Sequence, residues 1–193
     1  MIFNFRFQNN LIKMLKKENC LYQKFYCEEN IWHLCQREEL VNTQTQILFL
    51  LPPKRYIAVW QSRLAKRNLP ILWDYHVILM FKDHSSTWRI YDFDTILPFS
   101  IEAIDYFYYS LSERYTDYLP IIKVINSIEY ITKFHSDRSH MKDKHGKWQA
   151  APPPWKAIIN KEGVALPSLL DTKNVTMGKC YSFKNFKKEF DLF

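Results

Sequence analysis

Glycine is scarce in this chain of 193 residues, which contains only three. Loops that cradle phosphate groups need closely spaced glycines, because glycine lets the backbone turn tightly and approach the phosphate oxygens. Neither G-x-G-x-x-G nor G-x-x-x-x-G-K-[ST] occurs in the sequence. We therefore expect no nucleotide-binding site of the common kinds.

Long apolar runs are also absent. The run "ILFLLPP" at 47–53 ends at two prolines, and none approaches the roughly 18–20 residues that cross a bilayer. The N-terminal "MIFNFRFQNNLIKMLKK" lacks the continuous apolar segment of a secretory signal. We expect residues 1–20 to be a plain extension, with a transit peptide as the alternative, and residues 21–193 to form a single domain. We expect no membrane partner, and a cytoplasmic location with the nucleus second.

Closely paired cysteines are missing as well. Cys20, Cys27, Cys35 and Cys180 form no C-x-x-C motif, so a zinc ribbon is not expected. Four cysteines would allow two disulfides, but an intracellular chain keeps its thiols reduced, and we expect all four to be free. The segment "HSDRSHMKDKH" at 135–145 is a minor alternative for a metal site, because its spacing matches no common zinc pattern. No metal and no cofactor is predicted.

Charge is spread rather than concentrated. Lysine and arginine total 27 against 20 acidic residues, which gives a formal charge of +7. The small basic clusters at 13–17, 138–147 and 184–188 accompany no known nucleic-acid module, so a solvated basic surface explains them best. We expect no nucleic-acid partner, and because nothing suggests an obligate oligomer, we expect a monomer.

Apolar periodicity predicts both strands and helices. Hydrophobic residues make up 47% of the chain, which is ample for a packed core. Alternating or short apolar runs predict strands at 45–51, 55–60, 71–81, 88–97 and 119–127. Helical spacing predicts helices at 28–39 and 101–116, and the segment 134–154 is polar and irregular.

The stretch "FYCEENIW" at 25–32 places Cys27 where a helix begins. Glu28 and Glu29 favour the first turn, because the positive end of the helix dipole stabilises negative charge. A thiol at a helix N-terminus has a lowered pKa, which suits a nucleophile. A single cysteine in an apolar protein is nevertheless more often a small core residue.

A hairpin between the strands at 71–81 and 88–97 predicts a histidine–carboxylate pair. A five-residue loop, 82–86, would place His76 directly opposite Asp92, and a register shifted by two would place Asp94 there instead. Cross-strand partners have Cβ atoms about 4.5–5.5 Å apart, which suits an imidazole–carboxylate hydrogen bond. Each residue alone is more simply structural, but together with Cys27 they suggest thiol catalysis.

Four ordered motifs carry a resemblance to a known family. "YCEENIW" at 26–32, "WDYHV" at 73–77, "YDFDTILPF" at 91–99 and "SDRSHMKD" at 136–143 resemble the protein N-terminal glutamine amidohydrolase family, which is named for its WDYHV motif. The resemblance implies an α+β fold with a papain/transglutaminase-like core, in which an antiparallel sheet packs against helices and the catalytic cysteine starts a helix. It also implies that proteins or peptides with N-terminal glutamine are converted to the glutamate form, with release of ammonia, in the N-degron pathway.

Residue roles follow from the same motifs. The resemblance implies Cys27 as nucleophile, His76 as base and Asp92 as the acid that orients it, with no cofactor. Specificity requires a group that holds the free α-ammonium of the substrate, which a buried carboxylate can do. Glu28, Asp74 and Asp94 are the candidate carboxylates, and Ser139 is a candidate hydrogen-bonding partner; a structural role is the alternative for each.

Two other functions are compatible with the residues alone. A cysteine protease or transglutaminase could use the same core and the same thiol, but it would not need to recognise an α-ammonium. A non-enzymatic basic interaction module would need no Cys27 at all. Ammonia release from peptides separates all three.

Overall fold

The computed structural model describes residues 15–193. The helices are α1 (Cys27–Leu34), α2 (Ala103–Ser110), α3 (Ser127–Lys133), α4 (Leu166–Leu170) and α5 (Phe183–Glu189). The strands are β1 (Thr45–Leu51), β2 (Ile57–Val59), β3 (Ile71–Trp73), β4 (His76–Lys82), β5 (Trp88–Tyr91), β6 (Ile101–Glu102), β7 (Ile121–Asn126), β8 (Phe134–His135), β9 (Val164–Ala165) and β10 (Lys179–Ser182).

A six-stranded antiparallel sheet organises the fold, with strand order β10-β7-β1-β4-β5-β6. Its central strands β1 and β4 are apolar on both faces and are almost wholly buried. Strands buried on both faces require cover on both sides. The small pairs β2–β3 and β8–β9 lie outside this sheet.

Helices supply that cover on each face. Alternate residues of β1 and β4 enter two separate apolar cores, because successive side chains of a strand point to opposite faces. One core takes side chains from α1, α3 and α4, and the other takes side chains from α2 and α5. The predicted α+β class, with an antiparallel sheet packed against helices, is confirmed.

The predicted strand at 71–81 is two strands. The chain leaves β3 at Trp73, which belongs to the small β2–β3 pair, and enters the main sheet as β4 at His76. Between them, the Asp74 carboxylate accepts a hydrogen bond of 3.0 Å from the backbone N–H of Tyr75. Aspartate commonly bonds nearby backbone in this way and interrupts regular structure. This break puts His76 at the beginning of a central strand.

Both predicted helices are shorter than expected. The first ends at Leu34 instead of residue 39, and a separate 3-10 turn covers Glu38–Leu40. The second begins only at Ala103, because Ile101 and Glu102 pair with β5 as an edge strand. The apolar spacing of the sequence continues past both helix boundaries. The backbone of 38–40 forms a separate turn and that of 101–102 pairs with β5, and these local structures limit the helices.

Gly178 shows one use of a scarce residue. It has a φ of +77° directly before β10, a conformation that favours glycine. A Cβ there would lie 2.5 Å from the side chain of Ile125 and 2.6 Å from the carbonyl oxygen of Val124. The edge strand β10 can therefore approach β7 closely only because this side chain is absent.

The predicted N-terminal extension, 1–20, lies partly outside the described residues, which begin at Leu15. Leu15 is buried in the α1-side core, and Lys17 donates a hydrogen bond to the carbonyl oxygen of Phe93. Residues 15–20 thus pack on the domain, and the boundary at residue 20 stays a prediction. None of the helices within 15–193 combines the length and the apolar character needed to cross a membrane.

Candidate active site

Cys27 is the first residue of α1, as the sequence predicts. The preceding loop is held by Asn30, whose side chain accepts from the backbone N–H of Gln23 at 2.8 Å and donates to its carbonyl oxygen at 2.9 Å. Phe25 in that loop has a φ of +70°, which is uncommon for a bulky residue. The two bonds of Asn30 therefore fix the entry of the chain into the helix and the position of Cys27.

His76 and Asp92 form a buried pair. The distance from His76 Nε2 to an Asp92 carboxylate oxygen is 2.9 Å, and both side chains are at most 3% exposed. The ring of Trp73 stacks on the imidazole at 5.6 Å between centroids. These contacts fix the ring plane, and the pair predicted from the hairpin is present in the structure.

The route to this pair differs from the predicted register. Observed partners such as Leu79 and Tyr91 correspond to the alternative register, shifted by two, which would place Asp94 opposite His76. The ladder stops at Tyr91, however, because the Asp92 carboxylate accepts a 2.8 Å bond from the N–H of Asp94 and starts a turn. Asp92 therefore reaches His76 from a turn and not from a strand.

Charge and burial act in opposite directions on this pair. Burial is the largest influence on the pKa of His76 and would lower it, but the charge and hydrogen bond of Asp92 raise it above its ordinary value. Burial likewise would raise the pKa of Asp92, whereas the charge and hydrogen bonds of His76 and a 2.7 Å bond from the Tyr106 hydroxyl lower it. Both directions have the same source, the close contact between the Asp92 carboxylate and the imidazole, and both make His76 a stronger base than a buried imidazole without a partner.

The thiol of Cys27 is close enough to Asp92 and Asp94 for their charges to affect its pKa. Burial raises the pKa of Cys27 well above its ordinary value, and the charges of Glu28 and Asp94 act in the same direction. The backbone N–H of Val77, the residue after His76, bonds to the sulfur and opposes that increase. His76 Nδ1 is buried and accepts or donates no hydrogen bond within residues 15–193. The arrangement leaves one imidazole nitrogen available for a proton.

Glu28 is fully buried next to the nucleophile candidate. Its Oε2 accepts from the hydroxyl of Tyr75 at 3.2 Å and lies 3.6 Å from the sulfur of Cys27. Its Oε1 lies 3.5 Å from Nε2 of His140. The Tyr130 hydroxyl donates to the main-chain oxygen of Glu28 at 3.0 Å, which secures the backbone.

Glu29 makes a different set of contacts. Both of its carboxylate oxygens accept from Arg138 at 2.7 Å, and Trp155 Nε1 donates to it at 2.8 Å. Arg138 also donates to the carbonyl oxygen of Trp155 at 3.0 Å. This bidentate, buried ion pair joins α1 to the loop that follows β8, and it gives Glu29 a structural role.

The four candidate substrate-binding residues occupy two kinds of environment. Glu28 and Asp94 are buried, and both influence the thiol of Cys27. Asp74 and Ser139 are exposed; Asp74 bonds its own neighbour, and the N–H of Ser139 donates to Asp137 at 2.8 Å. The role of all four in substrate binding stays a prediction.

Several contacts at the site have no counterpart in the sequence reasoning. Asp94 accepts a 2.6 Å bond from the Tyr22 hydroxyl, and Asp92 accepts from Tyr106 on α2. Asn30 stands within the quoted motif "YCEENIW", so its position was a usable signal. Tyr22 and Tyr106 lie in segments whose patterns give no hint of a site.

One group of potential metal ligands lies together within the described part of the chain. Ligand atoms of His76, Asp92 and Asp94 all fall within 4.8 Å of one another. His76 Nε2 and an oxygen of Asp92 are already bonded to each other, which uses two of the atoms a cation would need. The histidines of 135–145, the alternative metal segment, join no such group in 15–193.

Comparison with known proteins agrees with the motifs. A sequence model described as N-terminal glutamine amidase matches residues 22–190. The chain belongs to this family. The N-terminal glutamine amidase match covers Cys27, His76 and Asp92, and the hydrolase class predicted from the sequence is confirmed.

Curated relatives of this amidase share its length. A protein N-terminal glutamine amidohydrolase from Danio rerio is 33% identical over 183 residues, which cover 89% of each chain. The Homo sapiens protein of that name is 31% identical over 90% of this chain and 89% of its own. The Caenorhabditis elegans protein is 34% identical over 81% of this chain and 88% of its own. The similarity therefore extends over nearly the whole amidase domain.

Proposed function

We propose that this chain hydrolyses the side-chain amide of an N-terminal glutamine in proteins or peptides, giving N-terminal glutamate and ammonia. The observation that carries the proposal is a Cys27 thiol at the start of α1 whose pKa responds to the charge of Asp92, together with a buried His76–Asp92 pair in which one imidazole nitrogen is unbonded. The names of the relatives support the same substrate.

The thiol must lose its proton during the reaction. Because its pKa is raised, Cys27 is a neutral thiol before substrate binds. His76 accepts the proton at Nδ1 as the sulfur attacks the amide carbon, and Asp92 strengthens it as a base by raising its pKa. The C–N bond then breaks, and ammonia leaves with the proton returned by His76.

The second half of the reaction uses the same groups. The acyl group is now a thioester on Cys27, and His76 removes a proton from an attacking water molecule. The C–S bond breaks, which regenerates the thiol and leaves glutamate at the substrate N-terminus. Backbone N–H groups at the start of α1 would stabilise the oxyanion of both tetrahedral intermediates, and one such donor contributes about 3–4 kcal/mol.

Recognition of the substrate N-terminus requires a carboxylate near the thiol. Glu28 and Asp94 meet this requirement because both are buried and both influence Cys27. A cation within reach of a buried carboxylate is bound more strongly than one in water. We assign the α-ammonium site to this side of the nucleophile, and Asp74 and Ser139 to its outer rim.

The wider setting follows from the family resemblance. We propose a core of the papain and transglutaminase kind, with Cys27 at the helix start equivalent in role to their nucleophile. The product glutamate would enter the N-degron pathway in the cytoplasm, and also in the nucleus. The enzyme would act as a monomer on protein substrates, with no cofactor, nucleic acid or membrane involved.

Ammonia release from matched peptides tests the proposal. Wild-type protein should release ammonia from a Gln-initiated peptide, and much less from Asn-initiated or Nα-acetyl-Gln peptides. Cys27→Ala should abolish release, while Cys180→Ala, at a partly exposed thiol on the edge strand, should retain it.

Each rival function predicts another outcome. Equal release from Gln and acetyl-Gln peptides would indicate a general thiol amidase or a transglutaminase. Undiminished ammonia release by the Cys27→Ala variant would contradict the proposed Cys-His-Asp catalytic triad. A pure interaction module would release no ammonia from any peptide.

A further inference from the structure

Two buried polar atoms face each other beside the nucleophile without a hydrogen bond. They are Oε1 of Glu28 and Nε2 of His140, which lie 3.5 Å apart. Neither atom has a hydrogen-bond partner within residues 15–193. Buried polar atoms are normally bonded, and an exception at a pocket indicates a place for a ligand atom.

The adjacent glutamates make the exception clear. Glu29 has a bidentate arginine and an indole N–H, so its charge is fully compensated. Glu28 is equally buried, but its hydrogen bonds come from a tyrosine hydroxyl and a weakly donating thiol, both on the other oxygen. The only ion-pair contact found for Glu28 within 15–193 is the long 3.5 Å approach of His140. A buried carboxylate whose charge is balanced less well than that of Glu29 is unfavourable, and a cationic ligand would relieve that cost.

We propose that Glu28 and His140 together hold the α-ammonium of the substrate, which makes His140 a specificity-determining residue. The inference rests on the proposed function and extends it to one pair of atoms. An ammonium group has three N–H donors, and Glu28 Oε1 and His140 Nε2 are two unbonded atoms that can accept from it. The substrate is distinguished from an internal or acetylated glutamine by this charge.

The reach of a glutamine fits this assignment. Its α-nitrogen and its amide carbon are separated by four bonds, or about 5 Å when extended. Glu28 Oε2 lies 3.6 Å from the Cys27 sulfur, and Oε1 is the other oxygen of the same carboxylate. A nitrogen bound at Oε1 therefore allows the amide carbon of glutamine to reach the sulfur, whereas asparagine is shorter by one methylene.

His140 is placed by the loop that Arg138 anchors. It lies in a 3-10 turn, Ser139–Met141, which directly follows the Arg138–Glu29 ion pair. The Gln149 side chain donates to the His140 carbonyl oxygen at 3.3 Å and holds the turn from outside. The imidazole thereby reaches Glu28 from a segment distant in sequence.

Binding at this pair would also act on the nucleophile. The charge of Glu28 is the second-largest cause, after burial, of the raised pKa of Cys27. A cation on Glu28 offsets that charge, so the thiol loses its proton more readily once the correct substrate is bound. Recognition and activation are then linked through one carboxylate.

The test compares two peptides and three variants. One peptide begins with glutamine, and the other is identical except that hydrogen replaces its α-amino group. His140→Phe removes the acceptor, His140→Asn retains one, and His145→Phe changes an exposed histidine of the same segment as a matched control. Ammonia release gives kcat and KM for each pair, and thermal unfolding checks that each variant is folded.

We expect His140→Phe to raise the KM of the glutamine peptide about tenfold, the value of one lost charge-assisted hydrogen bond, with little change in kcat. Release from the des-amino peptide should be unchanged, His140→Asn should fall between, and His145→Phe should match wild type. Equal losses on both peptides, or no loss on either, would overturn the inference. If the proposed function itself is wrong, the result is different: wild-type protein will show no Cys27-dependent release of ammonia from the glutamine peptide.

Discussion

At the scale of single residues, the charge of Asp92 controls the chemistry available to His76. Without it, burial would leave His76 neutral and weakly basic. The Tyr106 hydroxyl, 2.7 Å from the second carboxylate oxygen, holds Asp92 in orientation without supplying charge. Charge and orientation can therefore be separated by substitution at two different positions.

Replacing Asp92 with asparagine should lower kcat by about 10²–10⁴-fold, as expected when the orienting acid of a triad is lost. Because Asp92 raises the pKa of His76, the acid limb of kcat/KM should move to lower pH in Asp92→Asn. Rates measured between pH 5 and 9 check both effects. Tyr106→Phe is the matched control and should lose activity with a smaller movement of the limb; an unmoved limb in Asp92→Asn would contradict this account.

At the scale of elements, α1 and the loop after β8 are joined by one ion pair. Arg138 has a φ of +63°, an uncommon conformation for a residue with a side chain, and it is 6% exposed. Such a conformation persists when the surroundings fix it, and here two bonds to Glu29 do so. The helix that carries Cys27 and the turn that carries His140 are thereby held together.

Replacing Arg138 with methionine should therefore cost about 3–5 kcal/mol in free energy of unfolding, because it leaves Glu29 buried and unpaired. Urea unfolding followed by circular dichroism measures the loss. The control is Arg37→Met, which breaks a 3.1 Å pair with Glu39 at a site 42% exposed on the arginine. That pair should contribute at most about 1 kcal/mol, and equal costs at the two positions would refute the structural role of Arg138.

Local patterns explain which elements the sequence could predict. The start of α1 at Cys27 and the β4–β5 hairpin depend on neighbouring residues, and both are present. The register was wrong by two, because the Asp83 carboxylate bonds the N–H groups of Ser85 and Thr87 and places the loop at 83–87, one residue later.

Long-range contacts explain what the sequence could not predict. His140 approaches Glu28, and Tyr106 approaches Asp92, only after separate elements pack together. Nothing in the spacing of either residue distinguishes it from a surface histidine or a core tyrosine. The family motifs identified the nucleophile, base and acid candidates, whereas the contacts that support them required the fold.

At the scale of the whole molecule, charge has opposite signs outside and inside. The chain carries a formal charge of +7. The buried groups around the thiol are instead acidic, with Glu28, Asp92 and Asp94 at most 3% exposed. On the proposed function, the surface field would favour approach of acidic polypeptides, and the buried carboxylates would favour the cation at their N-terminus.

Peptides with aspartate or glutamate after the N-terminal glutamine should therefore have a higher kcat/KM at low salt than peptides with lysine there. The difference should shrink as salt rises, because the screening length falls from about 10 Å at 0.1 M to about 3 Å at 1 M. Rates across that range for the two peptides check it. A lysine peptide that is equally fast at low salt would show that surface charge has no part in encounter.

The loop at 83–87 is a suitable place to attach a label to this enzyme. It closes β4 at Lys82, while His76 stands at the opposite end of the same strand, about 20 Å away for a strand of this length. The Asp83 carboxylate accepts from the N–H groups of Ser85 and Thr87 within the loop and contacts Arg89 on β5 at 3.7 Å. A fluorophore or affinity tag attached at the exposed Ser85 would lie near the end of β4 opposite to His76, away from the candidate active site.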